Sequence, residues 1–272
     1  MTAATTITPL ISIVTVCYNS EKTIADTIES VLNQTYGNDG NSSSSNFRIE
    51  YLLIDGSSKD NTLNIIKSYA NLAAQKNISY KYISEPDNGL YDAMNKGISL
   101  ATGEWIGIIN SDDFYASNQV ISMVANKILQ DATISLIYSD LVYIDNKNPD
   151  RVVRHWKSGG FKPSSFYYGW MPPHPTVFVK RNVYDQVGLF NTALKSAADY
   201  EMMLRILLIN KIKPAYLPVI TIKMRTGGVS NRSFKNRLNA NRQDKLAWKI
   251  NKIKPYWFTL YLKPIRKITQ FL

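Results

Sequence analysis

The first half of the chain alternates short β-branched apolar runs with segments whose apolar residues recur every three or four positions, and no other feature limits the fold as strongly. Ile11 to Cys17 reads as a buried strand, after which Asn19 or Ser20 caps a helix carrying Ile24, Ile28, Val31 and Leu32 on one face. Ile49 to Asp55 is a second strand. A helix from about Asp60, with Leu63, Ile66, Ala70 and Ala73 on one stripe, leads to a third strand from Ile78 to Ser84, and Trp105 to Ile109 is a fourth. This order predicts an α/β fold: a Rossmann-like, mostly parallel sheet flanked by helices and joined by right-handed crossovers. Ligands of such sheets bind beyond the carboxyl ends of the strands. Those ends are polar here: Tyr18-Asn19, Asp55-Gly56-Ser57, Glu85-Pro86-Asp87 and Asn110-Ser111-Asp112-Asp113.

Beyond Asp140 the pattern is less regular, with aromatic and proline clusters from Phe166 to Pro175 before a helix from about Asp199 to Ile209. The Ser- and Asn-rich stretch from Asn38 to Asn46 reads as a surface insertion. The single cysteine, Cys17, lies in an apolar run and reads as a buried thiol with no disulfide partner. No basic segment precedes the first apolar run, which is short and β-branched, so it reads as a strand and a cytoplasmic protein is expected. Charge is divided unevenly. Residues 1–204 hold 16 Lys and Arg against 20 Asp and Glu, and residues 205–272 hold 16 against 1, so a net −4 is followed by a net +15. The acidic front is unsuited to nucleic acid, and the basic end calls for an anionic neighbour.

Adjacent carboxylates at a strand end, as in Asn110-Ser111-Asp112-Asp113, can hold a hard divalent cation that bridges the oxygens of a diphosphate; alone, the same pair is more often a loop or a helix cap. Asp92 and Lys96 are spaced for contact with a nucleotide or, equally, for an ordinary i,i+4 ion pair.

Four segments in order resemble the family 2 glycosyltransferases, inverting enzymes of the GT-A fold, and in particular the bacterial ones that assemble surface polysaccharides. They are Ser12-Ile13-Val14-Thr15-Val16-Cys17-Tyr18-Asn19, then Leu53-Ile54-Asp55-Gly56-Ser57-Ser58-Lys59-Asp60-Asn61-Thr62, then the stretch from Glu85 to Gly103, and the strand ending in Ser111-Asp112-Asp113. The resemblance covers residues 10 to 230. It implies transfer of a sugar from a nucleotide-diphosphate sugar, UDP-linked by analogy, to a hydroxyl of a saccharide or lipid-linked saccharide acceptor. It implies O-antigen or capsule-type biosynthesis, with Mn²⁺ or Mg²⁺ as the metal.

Carried over by motif, Asp55 accepts a hydrogen bond from the donor's base and Tyr18 packs against it, with Thr15, Val16 and Asn19 along the same strand end. Asp92 and Lys96 face nucleoside and phosphates. Asn110 stands where the family's first metal-motif carboxylate usually does, which leaves Asp112 as the metal ligand, supported by Asp113 and Ser111. In Ser196-Ala197-Ala198-Asp199-Tyr200-Glu201 the resemblance makes Asp199 the catalytic base, with Glu201 second, and His174 of Pro172-Pro173-His174-Pro175 an acceptor-side residue. Arg225, in Arg225-Thr226-Gly227-Gly228-Val229-Ser230, resembles the start of a loop that closes over the diphosphate.

Residues 1–230 are thus expected to form the catalytic domain and 231–272 a basic, helical, aromatic extension. That extension closes with Lys254-Pro255-Tyr256-Trp257-Phe258-Thr259-Leu260-Tyr261-Leu262-Lys263-Pro264-Ile265-Arg266-Lys267, whose apolar runs are too short and too charged to span a bilayer. Its residue types suit the headgroup level of an anionic membrane, on the inner face of which the protein would be peripheral. Trp257, Tyr261, Ile265, Ile268 and Leu272 would share one face of a helix, although Pro264 is expected to interrupt any single one. The same segment could instead pack on the catalytic domain or a second subunit. Two other functions remain in view. A sugar nucleotidyltransferase would want a Gly-rich loop after the first strand, where Cys17-Tyr18-Asn19-Ser20-Glu21-Lys22 has no glycine, and a non-catalytic binding module would not need Asp55, Asp112 and Asp199 together.

Overall fold

The computed structural model describes residues 10–35, 47–226, 234–266 and 270–271, with the backbone alone for 234–240. The Ser/Asn-rich stretch, the loop at Gly227 to Ser230, Ile268 and Leu272 lie outside the described residues.

The expected alternation is present as β1 (Leu10–Cys17), α1 (Ile24–Leu32), β2 (Arg48–Asp55), α2 (Thr62–Ser68), α3 (Ala70–Gln75), β3 (Ser79–Ser84), α4 (Leu90–Leu100) and β4 (Trp105–Asn110). Then follow β5 (Asp113–Tyr115), α5 (Val120–Gln130), β6 (Leu136–Ile144), β7 (Val152–Trp156), β8 (Phe178–Lys180), α6 (Arg181–Val187), α7 (Ala198–Leu204), β9 (Pro214–Arg225), α8 (Phe234–Ile250) and α9 (Thr259–Ile265). One sheet runs in the order β3-β2-β1-β4-β8-β6-β9-β5, with β7 paired to β6. The first four strands are parallel to one another. β8 runs antiparallel to both β4 and β6, β6 and β9 are parallel, and β5 and β7 are antiparallel additions.

Alternate side chains of the central strands bury on opposite faces, as period-2 geometry requires. Val14, Val16, Leu52 and Ile54 pack with Ala93, Met94 and Ile98 of α4, while Ile11, Ile13, Tyr51 and Leu53 pack with Ile24, Ile28, Val31 and Leu32 of α1. The single helix expected from Asp60 is two. It breaks at Tyr69, whose hydroxyl bonds Glu29 of α1 at 2.6 Å, and only Ile66 and Ala73 of the expected stripe are fully buried. The late helix begins at Ala198 and changes at Arg205 into a π-helical turn, Arg205–Ile209.

Glu50 is a charged residue inside this sheet. Its carboxylate accepts hydrogen bonds from Ser12 Oγ (2.5 Å), Thr102 N (2.7 Å), Thr102 Oγ1 (2.9 Å) and Lys81 Nζ (3.0 Å). Burial opposes ionisation, but these donors outweigh it and hold the carboxyl below its usual range. The resulting stability is complete above the unfolded-state pKa of about 4.3 and is lost as the pH falls through the lower folded-state value. Glu50→Gln places an amide N–H₂ among donors and is expected to cost about 2–4 kcal/mol at pH 7. Urea unfolding checks this: the two proteins should converge in stability under acid, and equal stability at pH 7 would overturn it.

The C-terminal helices share the core of the preceding residues. Ala247 and Trp248 of α8 are buried, and Trp248 Nε1 donates to Tyr200 Oη at 2.9 Å. Thr259 of α9 is buried and donates from Oγ1 to the Tyr167 carbonyl at 2.7 Å. Gly169, at φ 76°, lies so close to α9 that an added Cβ would sit 2.5 Å from Lys263 N, so no larger residue fits there. Contrary to expectation, α9 runs through Pro264. The proline removes the N–H that would bond the Leu260 carbonyl and crowds that carbonyl, and the helix ends one residue later, at Ile265.

Candidate active site

The strand register brings the carboxyl ends to one level: Cys17 lies opposite Asp55, Asp55 opposite Ser84, and Val16 opposite Asn110. Beyond β1 and β2 two loops are bonded together. Asn19, in the left-handed region at φ 49°, donates from its N–H to Ser58 Oγ (2.8 Å) and accepts at Oδ1 from Lys59 N (2.9 Å). Asp55 is fully buried, and its carboxylate accepts from Ser58 N (3.1 Å), Ser84 Oγ (2.6 Å), Ser58 Oγ and the Cys17 thiol (3.7 Å). These donors, rather than open space, surround the residue expected to meet the base. One residue on, the Asp87 side chain packs against the Gly56 backbone. At Gly56 an added Cβ would collide with the Asp87 carboxylate and come within 3.4 Å of the Tyr18 ring, which is 58% exposed. An exposed ring with a carboxylate close by suits a flat heterocycle with N–H donors. Asp87 lies in the Glu85 to Gly103 segment, but the motif reasoning gave a role there only to Asp92 and Lys96.

Thr15 and Val16 are interior, because both faces of β1 are covered, and Thr15 Oγ1 pairs with Tyr51 Oη at 3.0 Å. Asp92 caps its own helix entry by accepting from Asn88 N at 2.9 Å. Lys96 pairs with neither Asp92 nor open space. Its ammonium bonds Glu85 (2.9 Å) and the Pro86 carbonyl (2.8 Å), and the Glu85 hydrogen bond raises its pKa.

At the end of β4, Asn110 Nδ2 donates to Asp113 Oδ2 at 3.0 Å, Ser111 Oγ pairs with Ser20 Oγ at 2.8 Å, and Thr27 Oγ1 of α1 donates to the Asp113 carbonyl at 2.7 Å. Asn110 Oδ1, Asp113 Oδ1 and Arg225 Nε are buried with no hydrogen-bond partner among the described residues. Burial raises the pKa of Asp112, opposed in part by the nearby Arg225 charge. Burial and then the Asp112 charge raise Asp113, opposed by the Asn110 hydrogen bond and by Arg225. Arg225, at the end of β9, pairs with Asp26 and lies over the Phe114 ring at 5.2 Å. Two desolvated carboxylates and an unpartnered amide oxygen are oxygen donors of the kind that a hard cation takes. Among the described residues no cluster of three or more His, Cys, Asp or Glu gathers, so a cation here needs further oxygens from a ligand or water.

Asp199 lies in the first turn of α7, half-buried, and accepts from Tyr91 Oη of α4 at 3.2 Å. His174 is buried beside it, in a 3-10 turn, with its ring edge-on to Phe190. Burial lowers its pKa, opposed by the Asp199 charge, so the ring is neutral at neutral pH. Asn95 fixes Phe190 with reciprocal 2.9 Å bonds to its carbonyl and N–H, and the Tyr91 and Phe190 rings are 5.6 Å apart. Glu201 is elsewhere, buried against Arg205 at 2.9 Å and Asn251 at 3.2 Å. Its carboxylate is committed to that ion pair. The structure therefore gathers three groups at the sheet edge, around Tyr18 and Gly56, around Asp112, and around Asp199.

The profile of glycosyl transferase family 2 matches residues 12–191, about two thirds of the chain. The protein belongs to this family. It is accordingly a glycosyltransferase, and its relatives agree. It is 25% identical over 224 residues to a PGL/p-HBAD biosynthesis glycosyltransferase of Mycobacterium bovis, covering 82% of this chain and 80% of that one. It is 28% identical over 208 residues to a chondroitin synthase of Pasteurella multocida, covering 75% of this chain but only 20% of the synthase. Among solved structures, S. aureus TarS 1-349 in complex with UDP-GlcNAc superposes with a TM-score of 0.63 at 18% identity, over 87% of this chain and 65% of that one. The mannosyltransferase PcManGT from Pyrobaculum calidifontis, in complex with GDP-Man and Mn²⁺, superposes with a TM-score of 0.62 at 17% identity, over 94% and 69%. The fold of the family 2 chain is thus of the GT-A type.

Proposed function

We propose that the protein is an inverting glycosyltransferase that moves a sugar from a nucleotide-diphosphate sugar, UDP-linked by preference, to a saccharide hydroxyl. The observation that carries this reading is the meeting of unpartnered oxygens on Asn110 and Asp113 with Asp112 at the end of β4, level with the end of β1 that leads to Tyr18. The base packs between Tyr18 and Asp87. Asp112, Asp113 and the Asn110 amide oxygen hold Mn²⁺ or Mg²⁺, which when bound supplies positive charge to the departing diphosphate. Arg225 lowers the repulsion between the two carboxylates. Asp199 takes the proton from the attacking hydroxyl, the Tyr91 hydroxyl orients its carboxylate, and neutral His174 leaves it unpaired with a cation. Attack opposite the leaving diphosphate inverts the anomeric centre.

The acceptor is a lipid-linked saccharide of surface-polysaccharide assembly, O-antigen or capsule, met at the cytoplasmic face of a membrane. The UDP and Mn²⁺ assignments draw on TarS and PcManGT, the lipid linkage on the basic aromatic C-terminus. Titration with UDP-, GDP- and dTDP-sugars, with and without Mn²⁺, tests the donor half. We expect metal-dependent binding of a UDP-sugar and slow release of free sugar. Binding of none of the three with metal present would overturn the reading.

A further inference from the structure

Helix α9 has one occupied face and one bare face. The occupied face holds buried Thr259, the backbone beside Gly169, and Lys263, whose ammonium bonds Asp244 at 2.7 Å and lies 3.7 Å from the Tyr200 ring centre. On the bare side Tyr261 and Ile265 are 64% and 53% exposed, and Trp257, in the turn before the helix, is 84% exposed. Ile265 also borders a cleft of about 400 Å³ whose walls carry three cations, Lys157, Lys263 and Arg266, together with Trp156 and Trp170. Single exposed apolar residues are ordinary, but a stripe ending at a cationic cleft, within a segment of net charge +15, is not. Lysine is depleted at protein–protein interfaces, whereas Trp and Tyr flanked by Lys and Arg are enriched where helices lie in the lipid–water interface.

We propose that α9 and the turn before it dock the protein on an anionic bilayer, with Trp257, Tyr261 and Ile265 in the headgroup layer and a lipid phosphate in the cleft that Lys157 and Arg266 line. This deepens the membrane reading above by naming the surface that meets the lipid, and it rests on that reading for the origin of the acceptor. Among the described residues no helix is long and apolar enough to cross a membrane, and the docking is interfacial. The contact of Lys263 with Tyr200 sets the docked helix against α7, which begins beside Asp199. A lipid-linked acceptor would then be presented to the base without leaving the surface.

The test is co-sedimentation of the full chain with phosphatidylcholine vesicles, with and without phosphatidylglycerol, at low and high salt. Wild type should bind only the anionic vesicles and lose at least about tenfold in affinity at high salt. The combined Trp257→Ser, Tyr261→Ser and Ile265→Ser variant, altered only at exposed positions, should bind at least about tenfold more weakly with an unchanged unfolding midpoint. Lys157→Glu should weaken binding severalfold without touching the apolar stripe. Mn²⁺-dependent UDP binding, measured in parallel, should be equal in all three; its absence throughout would undo the donor reading and leave the vesicle result standing. Failure of wild type to bind anionic vesicles at low salt, or wild-type binding by the triple variant, would overturn the proposal. So would a wild-type dimer that the triple variant dissolves while vesicle binding persists, which would make the stripe a subunit interface.

Discussion

Asp199→Asn is expected to lower sugar transfer by about 10²- to 10⁴-fold while leaving donor affinity near that of wild type, since this is the usual contribution of a positioned general base. The amide keeps the size of the side chain and can still accept from Tyr91, which lies 3.2 Å from Oδ1, but it cannot take a proton. The effect should therefore fall on turnover and not on binding. Glu201 is unable to substitute, because Arg205 and Asn251 hold its buried carboxylate. Transfer assays beside donor titration decide the matter. Near-normal turnover in a folded Asp199→Asn protein would move the base elsewhere and remove the acceptor-side assignment of Tyr91 and His174 with it.

Asp112→Ala is expected to weaken Mn²⁺-dependent donor binding by at least about 10²-fold, with little change in metal-independent binding. The reason is charge and geometry together. Asn110 replaces one carboxylate of the family's usual motif, so the proposed metal set holds two carboxylates and one amide oxygen, and losing Asp112 halves its negative charge. The Asp112 carboxylate bonds its own backbone N–H, whereas Asp113 accepts from Asn110 Nδ2 across the turn. Its removal should leave the loop intact. Isothermal titration with and without Mn²⁺ checks this, and unchanged affinity in the variant would make Asp112 an ordinary loop residue.

The parallel half of the sheet was legible because its strands depend on short-range patterning. β1, β2 and β4 fall within one residue of the expected strands, and the face of α1 follows from residues three and four apart. The break at Tyr69 was not legible, because it is stabilised by a hydrogen bond to Glu29, forty residues away in sequence. The course of α9 through Pro264 depends on where the helix ends, which its packing on Gly169 and Tyr167 settles.

At the site the division is similar. From the sequence alone followed the family-like order of motifs, the acidic end of β4 and the basic end of the chain, since each is a matter of which residues occur and in what order. The partners of each polar group were decided only by the tertiary structure. Lys96 meets Glu85 instead of Asp92, Glu201 is spent on Arg205, and Asp55 is closed in by Ser58, Ser84 and Cys17 while Asp87 packs against Gly56 near the Tyr18 ring. A hydrogen bond acts over about 3 Å and depends on direction, so its partner is set by how loops from distant strands converge. Residue spacing along the chain carries no record of that convergence.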